Sequence, residues 1–93
     1  MPSSQSHSDL AYCAERGYVT RALKICYKMK LDGITPNISV YHWLLEACAF
    51  VALDLESWAI LEDMIAAGVQ PDTTAINFVI KVRFAHDATL LRS

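Results

Sequence analysis

Ninety-three residues make one small domain or a piece of a larger one, and 54% apolar against 19% charged residues is too apolar for a disordered chain. A formal charge of −2 supplies no overall attraction to nucleic acid or to an anionic membrane. The longest apolar run, Ala47 to Leu53, falls far short of the roughly 18 residues a spanning helix needs, so no membrane partner is expected.

The opening MPSSQSHSDL has neither the basic start and apolar stretch of a secretory signal nor the arginines of a transit peptide. A targeting segment would therefore have been removed, belong to a longer chain, or not exist. A first helix is expected to about Arg16, with Gly17 as the turn. A second follows from Thr20 to Leu31 and is closed by Gly33 and Pro36. From Val40 the apolar positions Tyr41, Leu44, Leu45, Cys48, Val51 and Ala52 follow helical spacing. Asp54 is expected to cap the next helix, whose stripe is Ile60, Leu61, Met64 and Ile65, with Glu62 and Asp63 on a solvated face. Gly68 closes that helix and Pro71 prevents its continuation. Asp72 and Thr73 are placed to cap a fifth helix through Asn77, Phe78, Val79 and Ile80. Beyond it, a further helix is expected to have barely begun at Ser93. The cysteines Cys13, Cys26 and Cys48 are odd in number and lack CxxC spacing, so they read as reduced, buried thiols of an intracellular protein.

Sliding the chain against itself by 35 residues superposes His7 on His42, Leu10 on Leu45, Cys13 on Cys48, Ala14 on Ala49, Ile25 on Ile60, Met29 on Met64, Gly33 on Gly68 and Pro36 on Pro71. This is an internal duplication. It divides the chain into a first hairpin (1–37), a second (38–72) and the first helix of a third unit (73–93). The fold class is all-α: a right-handed solenoid of stacked antiparallel hairpins, whose neighbours must stack to hide their apolar sides. Further repeats, a partner protein or self-association would cover its open end.

The segment Tyr41-His42-Trp43-Leu44-Leu45-Glu46-Ala47-Cys48, together with Met64 to Asp72, resembles a pentatricopeptide repeat, as does Ala22 to Met29 ending in Gly33-Ile34-Thr35-Pro36-Asn37. The Met, three-residue spacer, Gly, apolar, any residue, Pro, Asp or Asn ending is the most specific part of the resemblance. It implies single-stranded RNA binding in mitochondria or chloroplasts, one base per repeat, on a face lined by the first helices. It further implies base reading by His7 with Asn37 and by His42 with Asp72, with Asn77 opening a third pair. The residues corresponding to the family's base-sandwiching position are Ser4, Ser39 and Thr74.

The match departs from the family's pattern in three ways. Histidine stands where Asn, Thr or Ser usually reads the base, hydroxyl residues replace an apolar sandwich, and Glu15, Phe50 and Ala85 stand where a phosphate-contacting lysine is common. Residues 38–72 carry Glu46, Asp54, Glu56, Glu62, Asp63 and Asp72 and no lysine or arginine, which opposes tight RNA binding by this segment alone. Asn37 and Asp72 are equally suited to capping helices. His7 and His42 suit base contact, solvent or a partner better than a metal, which would need three or four converging ligands. Phe50 and Trp43 are candidate contacts for a partner protein, and Trp43 and Trp58 also suit packing between hairpins. No phosphate loop, HExxH or paired carboxylate in an evident pocket is present, so neither an enzyme nor a cofactor is expected. Two functions follow: an organellar RNA-binding segment acting in transcript processing, stability or translation, or a protein-docking scaffold in a larger organellar assembly.

Overall fold

The computed structural model describes the backbone of residues 2–92 and the side chains of residues 8–85 and 87. Its elements are α1 (Pro2–Arg16), α2 (Val19–Leu31), α3 (Ile38–Val51), α4 (Asp54–Ala66) and α5 (Thr73–Arg92). No strand occurs among the described residues.

One hydrogen-bonding arrangement closes each of the first four helices. A residue takes left-handed backbone, and the amide after it bonds to the carbonyl five positions back. In α2 the left-handed residue is Gly33 (φ 80°), and the Ile34 amide donates to Met29 O at 2.9 Å. In α4 it is Gly68 (φ 83°), and the Val69 amide donates to Met64 O at 3.0 Å. The Met, spacer, Gly, apolar ending is therefore the sequence of this cap: the methionine is buried and the apolar residue after the glycine packs against the same core. The turns within the hairpins repeat it. The Tyr18 amide donates to Cys13 O at 3.0 Å around Gly17, and the Leu53 amide to Cys48 O at 3.1 Å around Ala52 (φ 56°). Cys13 and Cys48 recur because both occupy the same buried position in that cap. Burial raises both thiols, Cys48 to about 12, so neither is primed to react.

Helix starts are less uniform. Asn37 and Asp72 cap as expected, their Oδ1 atoms accepting from the amides of Val40 (3.1 Å) and Ala75 (2.9 Å). Asp54 does not cap. Leu53 holds the cap position without a side-chain hydrogen bond, and Asp54 is the first residue inside α4. Its backbone carbonyl accepts from the buried Ser57 hydroxyl at 2.7 Å. The left-handed turn at Ala52 brings the chain into helix one residue earlier than a side-chain cap at Asp54 would require.

The fifth helix also differs from expectation. It runs unbroken from Thr73 to Arg92, with no second helix among the described residues; Ser93, where one was expected to begin, lies outside them. Asp87 stands one repeat beyond Ala52, yet helix continues through it. A left-handed turn costs a non-glycine residue about 1–2 kcal/mol, and no following helix among the described residues packs back to offset that cost.

The first helices of the units, α1, α3 and α5, pack side by side in one layer. The second helices, α2 and α4, each pack against α3 but not against each other. The outer layer is therefore splayed and the α1–α3–α5 layer is the inner one. Leu10, Tyr41, Leu44, Leu45, Met64 and Val82 are buried between them, so α3 lies at the centre of one continuous core. The Tyr41 hydroxyl donates to Asp63 Oδ2 at 3.0 Å, and Lys30 Nζ bonds the same oxygen at 2.6 Å. Asp63 keeps 44% of its side chain exposed, as a solvated face requires, but it also has partners. It ties α4 to α3 and to the preceding hairpin, and burial together with that bond pushes the Tyr41 hydroxyl well above its ordinary range.

Three outcomes follow for urea unfolding monitored by circular dichroism. Gly68 has open space around it, so Gly68→Ala costs only the left-handed strain, about 1 kcal/mol. At Gly17 (φ 72°) a Cβ would lie 2.6 Å from Phe50 Cδ1 and 2.8 Å from Val51 Cγ1, so Gly17→Ala costs roughly twice as much. Tyr41→Phe removes one charge-assisted hydrogen bond and costs about 1.5 kcal/mol, with no loss of helical signal before the transition.

Candidate functional site

The helix spacing places His42, early in α3, on the inner layer beside the start of α5. Its Nε2 lies 2.9 Å from Asp72 Oδ1, and both side chains are partly exposed, at 25% and 41%. The bond joins residues 30 apart in sequence because Asp72 caps α5, and α5 packs on α3. Asp72 Oδ1 accepts from both the Ala75 amide and the His42 ring. The Ala75 amide above all, and then the ring, hold its carboxyl below the ordinary 3.8. With the carboxylate ionised, His42 Nε2–H is the donor, and Asp72 Oδ2, together with Nδ1 whenever the ring is neutral, is left as an acceptor outside that bond.

One repeat further on, Thr74 and Asn77 are exposed on α5 and line a shallow cavity of about 300 Å³ with Phe78, Ile80 and Lys81. The Phe78 ring centroid is 6.5 Å from that of His42, the two rings tilted by 58°. Lys81 Nζ stands 5.9 Å from the Phe78 centroid, within cation–π range. The His42–Asp72 pair and the Asn77 cavity are therefore contiguous, joined by the Phe78 ring. Ser39 is exposed one turn ahead of His42 and lines none of the cavities described. Asn37 is exposed but bound to its cap, and the side chain of His7, its intended partner, lies outside the described residues. Trp43 is half-buried against the core, whereas Phe50 is 66% exposed and lies over Gly17 at the far end of α3.

Lys81 escaped the sequence reading, which sought the phosphate contact one turn later, at Ala85. The signal was available: Lys81 follows Asn77 by four residues, so on a helix the two share a face. The position matches Glu46 and Ala11 in the earlier units, which is why the duplication did not point to it. The acidity of residues 38–72 is also sorted by the fold. Asp54, Glu56, Glu62 and Asp63 all lie on α4, in the outer layer, while Glu46 lies on α3 and Asp72 caps α5.

A family model described as the pentatricopeptide repeat domain matches residues 10–50, from Leu10 in α1 through the first hairpin to Phe50 near the end of α3. The matched stretch, residues 10–50, is similar to the pentatricopeptide repeat family. No curated protein matches it. Pentatricopeptide repeat proteins are helical-hairpin solenoids that typically bind RNA, and the five helices here have that architecture. No helix among the described residues is long and apolar enough to cross a membrane.

Because the Asp72 carboxyl is held below 3.8, the folded chain binds fewer protons than the unfolded chain between the two values. The stabilisation is present above about pH 4 and is lost as pH falls through the lowered value. Chemical unfolding from pH 6 to pH 2.5 is expected to show a smaller acid-induced drop for Asp72→Asn than for the unsubstituted chain. Equal drops would mean that the cap and the His42 bond do not act on that carboxyl.

Proposed function

We propose that this chain binds single-stranded RNA along its inner layer, as part of transcript processing, stability or translation in a mitochondrion or chloroplast. The observation that carries this reading is the 2.9 Å bond between His42 and Asp72. It sets two polar side chains side by side at the surface, where an unstacked base can be met on its hydrogen-bonding edge. Phe78 offers an adjoining ring face on which a base can stack, Asn77 a second set of amide donors and acceptors, and Lys81 a cation for the phosphate between them. With the ring neutral, His42 Nδ1 and Asp72 Oδ2 both accept, so this pair favours a base that presents an amino group. Four of the six acidic residues of this unit are carried by the outer-layer helix α4, which lessens the electrostatic objection to RNA on the inner layer. With one lysine at the site, affinity is modest and strongly salt-dependent.

Fluorescence anisotropy of labelled single-stranded oligonucleotides tests the proposal. Binding is expected at low salt and is lost as salt rises. Lys81→Ala should weaken all sequences alike and flatten the salt slope by about 0.7, the value of one phosphate contact on a single strand. His42→Ala combined with Asp72→Asn should relax base preference and leave the salt slope unchanged. No binding at low salt would overturn the reading and leave the repeats as a protein-docking scaffold in an organellar assembly.

A further inference from the structure

The outer layer carries a groove that the RNA reading does not use. α2 and α4 stand apart, and their facing sides enclose, over α3, a cavity of about 540 Å³. Its floor is apolar, formed by the buried Cys26, Leu44 and Ile60. Its rim bears Leu23 and Tyr27, which are 38% and 64% exposed. The two walls are opposite in charge. α2 carries Arg21, Lys24, Lys28 and Lys30 and no acidic residue, whereas α4 carries Asp54, Glu56, Glu62 and Asp63 and no basic one. At one end Lys30 and Asp63 close the groove with a 2.6 Å ion pair. Toward the other, Lys24 and Glu56 line opposite walls, and neither forms an ion pair among the described residues.

We propose that this groove is the interface of a homodimer, occupied by the same face of a second copy of the chain. A two-fold axis running along the groove lays the basic α2 of each copy over the acidic α4 of the other. Both charge contacts then occur twice, as a two-fold interface requires. Lys24 meets the partner's Glu56, and the Lys30–Asp63 pair becomes a four-membered network. An axis set across the groove would lay basic on basic and acidic on acidic, so charge selects the first arrangement. Leu23 and Tyr27 of each copy reach into the shared apolar space and remove it from water. An unrelated helix would need an acidic and a basic stripe on the two flanks of a single apolar face. The chain already displays that pattern, divided between its own two outer helices. The inner layer stays open in the dimer, so the two copies offer two nucleic-acid surfaces facing away from each other.

Sedimentation equilibrium of the full chain tests the proposal independently of RNA. A monomer–dimer equilibrium is expected at low salt and weakens as salt rises. Lys24→Glu and Glu56→Lys should each weaken self-association at least tenfold while leaving the far-ultraviolet circular dichroism unchanged. Mixing the two variants should restore a one-to-one dimer, because each contact then pairs opposite charges again. Zero-length carbodiimide cross-linking of the unsubstituted chain gives a readout that needs no variant, and should join Lys24 to the partner's Glu56. A monomer at low salt, variants that associate like the unsubstituted chain, a mixture that stays monomeric, or a dimer without that cross-link would each overturn it.

Discussion

After each of the first four helices, one residue in left-handed backbone lets the next amide reach the carbonyl five positions back, and the hairpin stack depends on that contact. The bond satisfies a carbonyl that the helix end would otherwise leave unpaired, and it starts a reversal that takes two residues within a hairpin and six between hairpins. These reversals bring consecutive helices into contact, so α3 lies among the other four helices and the core is continuous. The side chain whose carbonyl accepts the bond points into that core. Its position is filled by Met29 and Met64 between the hairpins and by Cys13 and Cys48 within them, all four buried. A polar residue there would lose its hydration with no partner in reach, at a cost of about 1–3 kcal/mol.

The packing asymmetry that follows sorts charge as well as shape. First helices touch along an inner layer, so their outward positions converge on one surface. Second helices diverge, so theirs line a groove. Four of the six acidic residues of the second unit fall on α4, and the basic residues of the first fall mainly on α2. A chain of nearly neutral total charge thereby presents a polar inner face and an outer face that is half basic and half acidic. At ordinary salt such charges are felt only within about 8–10 Å, so the two faces act separately. Net charge, which weighed against nucleic acid when the chain was read as a string, says little about either face.

The repeat, the helix closures at Gly17, Gly33 and Gly68, and the caps at Asn37 and Asp72 were legible because each is a local rule with a residue type attached. Ala52 was not legible as a left-handed turn. Alanine carries no such signal, and only the packing of α4 back onto α3 holds it there. The role of Asp63 is not legible because its two partners, Tyr41 and Lys30, lie 22 and 33 residues away on other helices. A sequence pattern that ranks exposure by helical face places this carboxylate at the surface, where 44% of it is exposed, but cannot see the distant donors it binds. Lys81 was missed for a related reason. The expected cation was sought at a fixed repeat position, whereas reach to a surface depends on helix face, and a shift of four residues keeps the face while changing the position. The unbroken α5 was likewise invisible, since nothing in Asp87 itself says whether a following helix will reward a turn.

For Asp72, capping a helix and the proposed base contact are compatible, because the cap orients the carboxylate. Bound at Oδ1 by the Ala75 amide, the carboxylate is fixed relative to α5, and the His42 ring is fixed in turn by its bond to the same oxygen. The second oxygen stays outside both bonds. A ligand meeting Asp72 Oδ2 and Nδ1 of the neutral His42 ring therefore finds two acceptors already oriented, with little side-chain freedom left to lose on binding. Asn37 shares half of this arrangement. Its Oδ1 is held by the Val40 amide, which turns the amide nitrogen, a donor, to the outside. The two complete units thus offer opposite hydrogen-bonding character at equivalent positions, an acceptor at Asp72 and a donor at Asn37. Two bases in succession would be selected for different edges, although the histidines that precede them in each unit are the same.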